Sequence, residues 1–561
     1  MLATVRNPKM WKTLTGRRIF VFSRKLHSLK TIEIPNLYLD EMIWRNLDKW
    51  SNKTATVCAE TNRSYTYQEL YNKSNSIASF LHKFGMVKDD TVAIMLPNIP
   101  EYPIVFLGAV QAGVQVTPLN PSFTPGEISK QLLQTNSKMV FCTNEKYITV
   151  LKTLQSAKLY VPIVTINTQN DTSPPNDSID FDDIAQTSPS NFQQVFQRDV
   201  NDTIVIPFSS GTGGHPKGVE LTHRNLVSNL HQMCVHEYDL LLSEADDLCP
   251  EQNVMPFILP MYHIYGMTMI MLQGLLRGCK LVTVPKLTST MLVNVLDNFR
   301  TTALFIVPPI VQMLLSNSRI KRSHFMKIKT IMSGGAPLGI LQLKRLREKA
   351  GMDVNIFQGY GMTETSPLTH IQTTRINVGM KLGGIGLLLP STEAKIILPE
   401  SGKQVGSNEV GEIVLRGPQI MKGYYKNEMA NQEVFMSDGW LKTGDLGCYD
   451  DDGHFFITGR RKELIKVKGY QVAPVELEEL IRGHPDVDDV AVVGVPHDTL
   501  GEAPKAFVVL KRGSNVTPRL IEDYVKENVV KYKQLSGGVS FIDSIPKSAT
   551  GKILRNQLKE L

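Results

Sequence analysis

Residues 203–230 read TIVIPFSSGTGGHPKGVELTHRNLVSNL, an apolar β-prone run, a loop of small and hydroxyl residues, and a helical pattern. TIVIPF predicts a strand and LTHRNLVSNL a helix beginning near Thr222. Between them lie Ser209, Ser210, Gly211, Thr212, Gly213 and Gly214, followed by His215, Pro216 and Lys217. Glycines let successive backbone N–H groups converge on an anion, hydroxyls add donors, and a lysine supplies a point charge for outer phosphates. The segment therefore reads as a phosphate grip, in the order strand, loop, helix. It is not a P-loop NTPase: the Walker pattern G-x-x-x-x-G-K-[ST] fails, because Pro216 precedes Lys217 and Gly218 follows it.

Outward from this loop, β-rich runs alternate with helical patterns from about residue 55: TVAIML, VQVTPL, SKMVFCT, CKLVTV, ALFIVP, KTIMS and VNIFQGY. Such alternation predicts an α/β fold, with a large N-terminal domain of mixed, largely parallel sheets flanked by helices. Residues 166–193, rich in Asn, Asp, Ser, Thr and Pro, read as an exposed excursion. After a charged connector at Gly459 to Lys462 the pattern becomes a compact α+β unit. It comprises a helix from Pro474 to Arg482, strands DVAVVGV and KAFVVLK, and a helix LIEDYVKENV. The expected domains are 33–459, a hinge at 460–462 and a smaller C-terminal domain at 463–561.

A chain of 561 residues exceeds a single core, and 42% hydrophobic with 20% charged residues is ordinary globular composition. The six cysteines form no C-x-x-C pair, which points to neither a zinc site nor a disulfide framework. The net charge of +7 is concentrated at the N-terminus: residues 1–32 hold eight Lys or Arg and no acid, and the other 53 basic residues face 54 acidic ones. A neutral body argues against nucleic acid. The acid-free leader, with Leu14, Ile19, Phe20, Phe22, Leu26 and Leu29 as an apolar stripe, matches an amphipathic mitochondrial presequence. A disordered basic tail or membrane-surface attachment is the alternative. The C-terminal Lys559-Glu560-Leu561 echoes the peroxisomal S-K-L only faintly, and mitochondrial localisation is expected ahead of peroxisomal or cytosolic. No transmembrane helix is expected.

Four further segments complete the pattern: SGGAP (Ser333 to Pro337), QGYGMTET (Gln358 to Thr365), WLKTGD (Trp440 to Asp445) with GRRKELIKVKGYQVAP (Gly459 to Pro474), and PKSATGKILR (Pro546 to Arg555). Together with the phosphate loop they resemble the adenylate-forming acyl-CoA synthetases, in the branch of 4-coumarate-CoA ligase and beetle luciferase, over roughly residues 35–561. The resemblance implies a two-step ligase. A carboxylate attacks ATP to give acyl-AMP, and coenzyme A then displaces AMP to give the thioester.

The resemblance also implies roles. ATP or AMP would be bound by Ser209 to Gly214, Lys217, Gly335, Gln358, Gly359, Tyr360, Gly361, Met362, Thr363, Asp445, Arg460, Gln471 and Lys552. Tyr360 offers a face for adenine and Thr363 touches the α-phosphate. Glu364, a hard carboxylate beside phosphates, is the magnesium ligand. Asp445 accepts from the ribose hydroxyls. Lys552 bridges the attacking carboxylate and the α-phosphate, stabilising developing charge. His263 with its aromatic neighbours forms a gate to the pantetheine tunnel, with no acid–base task. Lys462 is the hinge. Lys466 and Gln471 approach the reacting centre, and Lys468 and Gly469 approach coenzyme A, once the small domain has rotated.

Ile264, Tyr265, Thr268, Met332, Gly335, Gly361, Pro367 and Leu368 would line the acyl pocket. Plant coumarate ligases commonly carry a lysine where Met332 stands, so a medium- or long-chain fatty acid is the expected substrate, in lipid metabolism, with aryl or arylalkenoic acids next. Gly213 departs from the threonine of most relatives and removes one hydroxyl donor to the β- and γ-phosphates. Luciferase-like oxidation of an acyl adenylate and a non-catalytic nucleotide-binding module are the remaining alternatives.

Overall fold

The computed structural model describes residues 26–28, 30–168, 173–187, 197–209, 216–241, 251–351, 354–374, 376, 379–468, 470–548 and 551–561. The leader up to residue 25, residues 210–214 of the phosphate loop and Gly469 lie outside the described residues. The architecture is mixed α/β, a large N-terminal part and a smaller C-terminal one, each with its own apolar core.

The largest sheet has nine strands. Its middle is parallel, with Gln115–Pro118, Thr91–Met95, Ser137–Thr143 and Ile163–Ile166 adjacent in that order. Nearly every residue of these strands is buried, the reason they read as unbroken apolar runs. Two further sheets begin as parallel trios, Val254–Phe257, Lys280–Thr283, Thr54–Cys58 and Ala303–Ile306, Thr330–Ser333, Asn355–Gly361. An antiparallel sheet, built mainly from Glu393–Ile397, Gly411–Arg416, Leu441–Tyr449 and Phe455–Arg460, leads to the small domain.

Two expectations are corrected. The phosphate loop does not run directly into a helix: Lys217–Thr222 is a strand, antiparallel to Phe208–Ser209 and to Thr203–Val205. Gly218, Val219, Leu221 and Thr222 are buried on it, and its pairing on both sides holds it as a strand. The helix begins at His223, capped by Thr222, whose hydroxyl accepts from Asn225 N at 3.1 Å. The loop therefore joins two antiparallel strands, and the helix begins only after the second of them. Second, the excursion at 166–193 contains a short strand, Ile179–Asp180, paired with Ile163–Ile166, and a helix, Phe181–Ala185, that buries Phe181 and Ile184.

The small domain carries a five-stranded sheet of Ile465–Val467, Tyr470–Val472, Val487–His497, Gly501–Leu510 and Val539–Phe541. Its helix Pro474–Arg482 starts at a proline, whose missing N–H costs nothing in a first turn. It buries Leu477 and Ile481 four residues apart, each contributing about 1.5–3 kcal/mol. Among the described residues no helix is long and apolar enough to cross a membrane, and five cysteines are free.

Candidate active site

A cavity of about 970 Å³ lies between the two domains. The strand Asn355–Gly361 delivers Gly359 and Gly361 to its wall, then turns through Thr363–Thr365 into the antiparallel strand Leu368–Ile371. The turn is tight enough that a Cβ on Gly361 would come within 1.9 Å of Pro367 O, the carbonyl that accepts from Met362 N at 3.0 Å. Only glycine fits there, and the closure sets Met362, Thr363 and Glu364 against the cavity.

Glu364 is buried, and its Oε1 accepts from Ser209 Oγ at 2.8 Å and from the Tyr424 hydroxyl at 2.9 Å. Both donors fall on one oxygen. Among the described residues the other oxygen has no partner, and no group of three or more His, Cys, Asp or Glu side chains could hold a metal. A single carboxylate completed by phosphate oxygens and water suits magnesium, a hard cation that keeps several waters.

Tyr360 is half-buried and its hydroxyl donates to Asp445 Oδ2 at 2.7 Å, while Arg460 Nε lies 2.9 Å from Asp445 Oδ1. Burial and the adjacent Asp445 charge hold the Tyr360 phenol well above its usual range, so it stays a donor. Each carboxylate oxygen has two acceptor sites, which leaves Asp445 room for two further donors such as ribose hydroxyls. Gln358 departs from expectation in part: its Oε1 accepts from Leu338 N at 3.0 Å, bracing the loop after Ser333 and leaving only its NH₂ end for a ligand.

Lys552 enters the same cavity from the small domain, beside Ser548 and Arg555. Among the described residues its ammonium makes no ion pair. Burial and the Arg460 charge pull it below the usual lysine range, against the opposing pull of Glu463, Asp445 and Glu364. Arg555 anchors this loop, pairing with Glu463 at 2.8 Å and with Glu478, and donating to Val492 O at 2.9 Å.

Lys466, Lys468 and Gln471 are not brought to the cavity. They are exposed on the hairpin of Ile465–Val467 and Tyr470–Val472. Gln471, expected at the nucleotide, instead donates to Glu400 Oε1 at 3.4 Å. A single rigid sheet cannot turn this hairpin and the Lys552 loop to the same cavity. Lys462 lines the cavity edge and sits 3.6 Å from Glu433.

At the inner end, Ile264, Tyr265, Met332, Pro367 and Leu368 line the wall as expected, with Gly335. Thr268 does not line it. Residues Tyr265–Leu272 form a π-helix, whose i→i+5 hydrogen bonding puts more residues in each turn than the α period assumes. That carries Met269 to the cavity beside Tyr265, while Thr268 is buried with its hydroxyl unpartnered among the described residues. The Tyr265 hydroxyl donates to Met332 O at 3.1 Å, which fixes its ring over Gly334.

His263 lines the cavity too; its Nδ1 accepts from Tyr265 N at 3.2 Å, and burial lowers its pKa to about 4, so the ring is neutral at pH 7. A second cavity of about 390 Å³ abuts the first, sharing Asn120, Tyr262 and Ser548. The sequence reading missed Tyr424 and Met269: Tyr424 reads as one more strand aromatic, and nothing local announces a π-helix.

The chain matches the AMP-binding enzyme family over residues 43–425 and the AMP-binding enzyme C-terminal domain over 476–552. It is similar to 4-coumarate–CoA ligase 1 of Arabidopsis thaliana, 38% identical across 95% of this chain and 94% of that ligase. It is also similar to 4-coumarate-CoA ligase 1 of Narcissus pseudonarcissus, 35% identical across 94% and 95%. Among solved structures it is similar to ATP-bound MatB from Rhodopseudomonas palustris, with a TM-score of 0.82 and 27% identity over 94% of this chain and 99% of that one. Another is the o-succinylbenzoate CoA synthetase of Bacillus subtilis with its acyl-adenylate, with a TM-score of 0.76 and 27% identity over 93% and 98%. The chain belongs to the AMP-binding enzyme family, as an ATP-dependent, AMP-forming acid–CoA ligase that works through an acyl-adenylate.

Proposed function

We propose that the acid is an aryl or arylalkenoic acid. What carries this reading is the similarity to ligases named for 4-coumarate over almost the whole of both chains. Two pocket features support it. The Tyr265 ring is held against Gly334 by its hydroxyl, and Gly335, Gly359 and Gly361 line the same cavity with backbone instead of side chains, which suits a flat ring. The fatty-acid reading retains one observation in its favour: Met332 and Met269 make the inner lining apolar and adaptable.

In the first half-reaction the acid's carboxylate attacks the α-phosphate and pyrophosphate leaves. Lys552 places its ammonium where charge develops, and burial and the Arg460 charge lower its pKa from the usual lysine range. Tyr360, Asp445 and Arg460 orient the nucleoside. Magnesium held by Glu364 would neutralise charge on the phosphate oxygens. In the second half-reaction the small domain rotates about Lys462, Lys552 withdraws, and the Lys466 to Gln471 face replaces it. The smaller cavity behind Tyr262 then serves as the approach for the thiol.

The test is pyrophosphate release across a panel of cinnamate-type, benzoate-type and C8 to C16 aliphatic acids. The expected result is a kcat/KM for the best arylalkenoic acid at least tenfold above any aliphatic one, about 1.4 kcal/mol of discrimination. A fatty acid at the head of the panel would overturn the proposal, and no release with any acid would favour a binding module.

A further inference from the structure

Tyr424 stands where the phosphate grip and the carboxylate meet, and nothing in the motif pattern assigns it a task. It lies on the two-residue strand Gly423–Tyr424, which pairs antiparallel with Lys217–Thr222, matching Val219 to Tyr424. Tyr425 N donates to Gly218 O at 2.8 Å and Tyr424 N donates to Asn431 Oδ1 at 2.6 Å, so the backbone at this position is fastened on both sides. The side chain is buried. Its hydroxyl donates to Glu364 Oε1 at 2.9 Å, and its ring lies 4.8 Å from Lys217 Nζ.

We propose that Tyr424 is a positioning residue that serves two groups at once. Its hydroxyl, with that of Ser209, occupies Oε1 of Glu364 and so turns the other oxygen toward the metal position. Its ring holds Lys217 within reach of the outer phosphates. A ring suits the second task better than an acid would. A carboxylate beside Lys217 would restrain it too, yet would cancel the charge that the phosphates need. The face of a tyrosine attracts the ammonium through its quadrupole and leaves the full positive charge available. Among the described residues Lys217 has no ion pair, as this arrangement requires. The proposal rests on the reading of Glu364 as the magnesium ligand.

The test is calorimetric binding of ATP, once with excess magnesium and once with the metal removed by EDTA, to the full-length enzyme and three variants. Tyr424→Phe keeps the ring and removes the hydroxyl; it should bind metal-free ATP within about twofold of wild type and lose about tenfold of the magnesium-dependent gain in affinity. Tyr424→Leu should lose that gain and about threefold of metal-free ATP affinity besides, through Lys217. Glu364→Gln should lose the magnesium-dependent gain alone. A role confined to packing would lower both affinities together in Tyr424→Leu and leave each unchanged in Tyr424→Phe. If Glu364→Gln loses the gain and Tyr424→Phe keeps it in full, the tyrosine's role is overturned and the metal reading stands. If Glu364→Gln itself keeps the gain, the metal reading falls and the proposal with it.

Discussion

The small domain has two polar faces, and the structure treats them in opposite ways. The Lys552 loop is packed into the cavity: Gly551 lies against Pro309, Arg555 is locked by Glu463 and Glu478, and the Lys552 ammonium is partly desolvated. The hairpin with Lys466, Lys468 and Gln471 lies open to solvent. Polar contacts between the small domain and the large one include Gln471 to Glu400 at 3.4 Å, Gln312 to Asp488 at 3.1 Å, and the exposed Lys462–Glu433 pair. An exposed pair of this kind contributes about 0–1 kcal/mol. Arg555 anchors the loop to the small domain, and the polar contacts named between the two domains are weak ones. Exchange of the two faces therefore asks for breaking few interactions, and each face should serve one half-reaction.

The strongest way to break this comparison is Lys552→Ala. Pyrophosphate release should fall by about a hundred- to a thousandfold, the usual cost of removing a group that stabilises developing charge. Thioester formation from supplied acyl-adenylate should change little; equal losses in both assays would end the idea that the faces divide the work. The same ammonium must be protonated to act. Because its pKa is lowered, the protonated fraction is lost as pH rises through a value below that of a free lysine, near 10.4. The alkaline limb of the adenylation profile should therefore appear below that value, and Lys552→Arg should move it upward.

Gly551→Ala comes next. Gly551 has φ of +81°, and a Cβ there would meet Pro309 Cδ at 2.7 Å. The loop could not seat as it does, and adenylation should fall by about ten- to a hundredfold through strain of 1–3 kcal/mol. Thioesterification, with the loop withdrawn, should be spared. Lys466→Ala should show the converse at about tenfold, with thioester formation reduced and pyrophosphate release intact. Loss of pyrophosphate release there would mean that the exposed hairpin acts in both steps.

The two faces were legible through the motifs and the resemblance they carry, the elements through their patterns, and the failures have physical causes. The helix Pro474–Arg482 was placed to the residue because a proline opens it and Leu477 and Ile481 repeat at helical spacing. Glu364, Tyr360 and Asp445 were found through the resemblance that their motifs carry together, since a lone T-G-D or a Glu in a turn has no assigned task by itself. Thr268 was placed at the acyl pocket by the resemblance alone, and the π-helix Tyr265–Leu272 brings Met269 there instead. The strand Lys217–Thr222 went unread because six residues between a loop and a helix carry too little periodicity to separate the two. Tyr424 acts through Glu364 and Lys217, residues 60 and 207 positions away, and no local pattern encodes such a meeting.

The smallest effect sets a scale for the others. Gly213 belongs to neither face: it is a residue of the phosphate loop, where the resemblance implies a threonine whose hydroxyl would serve the departing pyrophosphate. Gly213→Thr restores one ordinary donor, about 1 kcal/mol, and should raise adenylation about fivefold while leaving thioester formation from acyl-adenylate unchanged. That would make one neutral hydrogen bond worth a small fraction of what Lys552 contributes, as expected if Lys552 meets charge that forms only in the transition state. A gain above a hundredfold would reverse the ranking and put the control of the first half-reaction in the phosphate loop instead of the moving face.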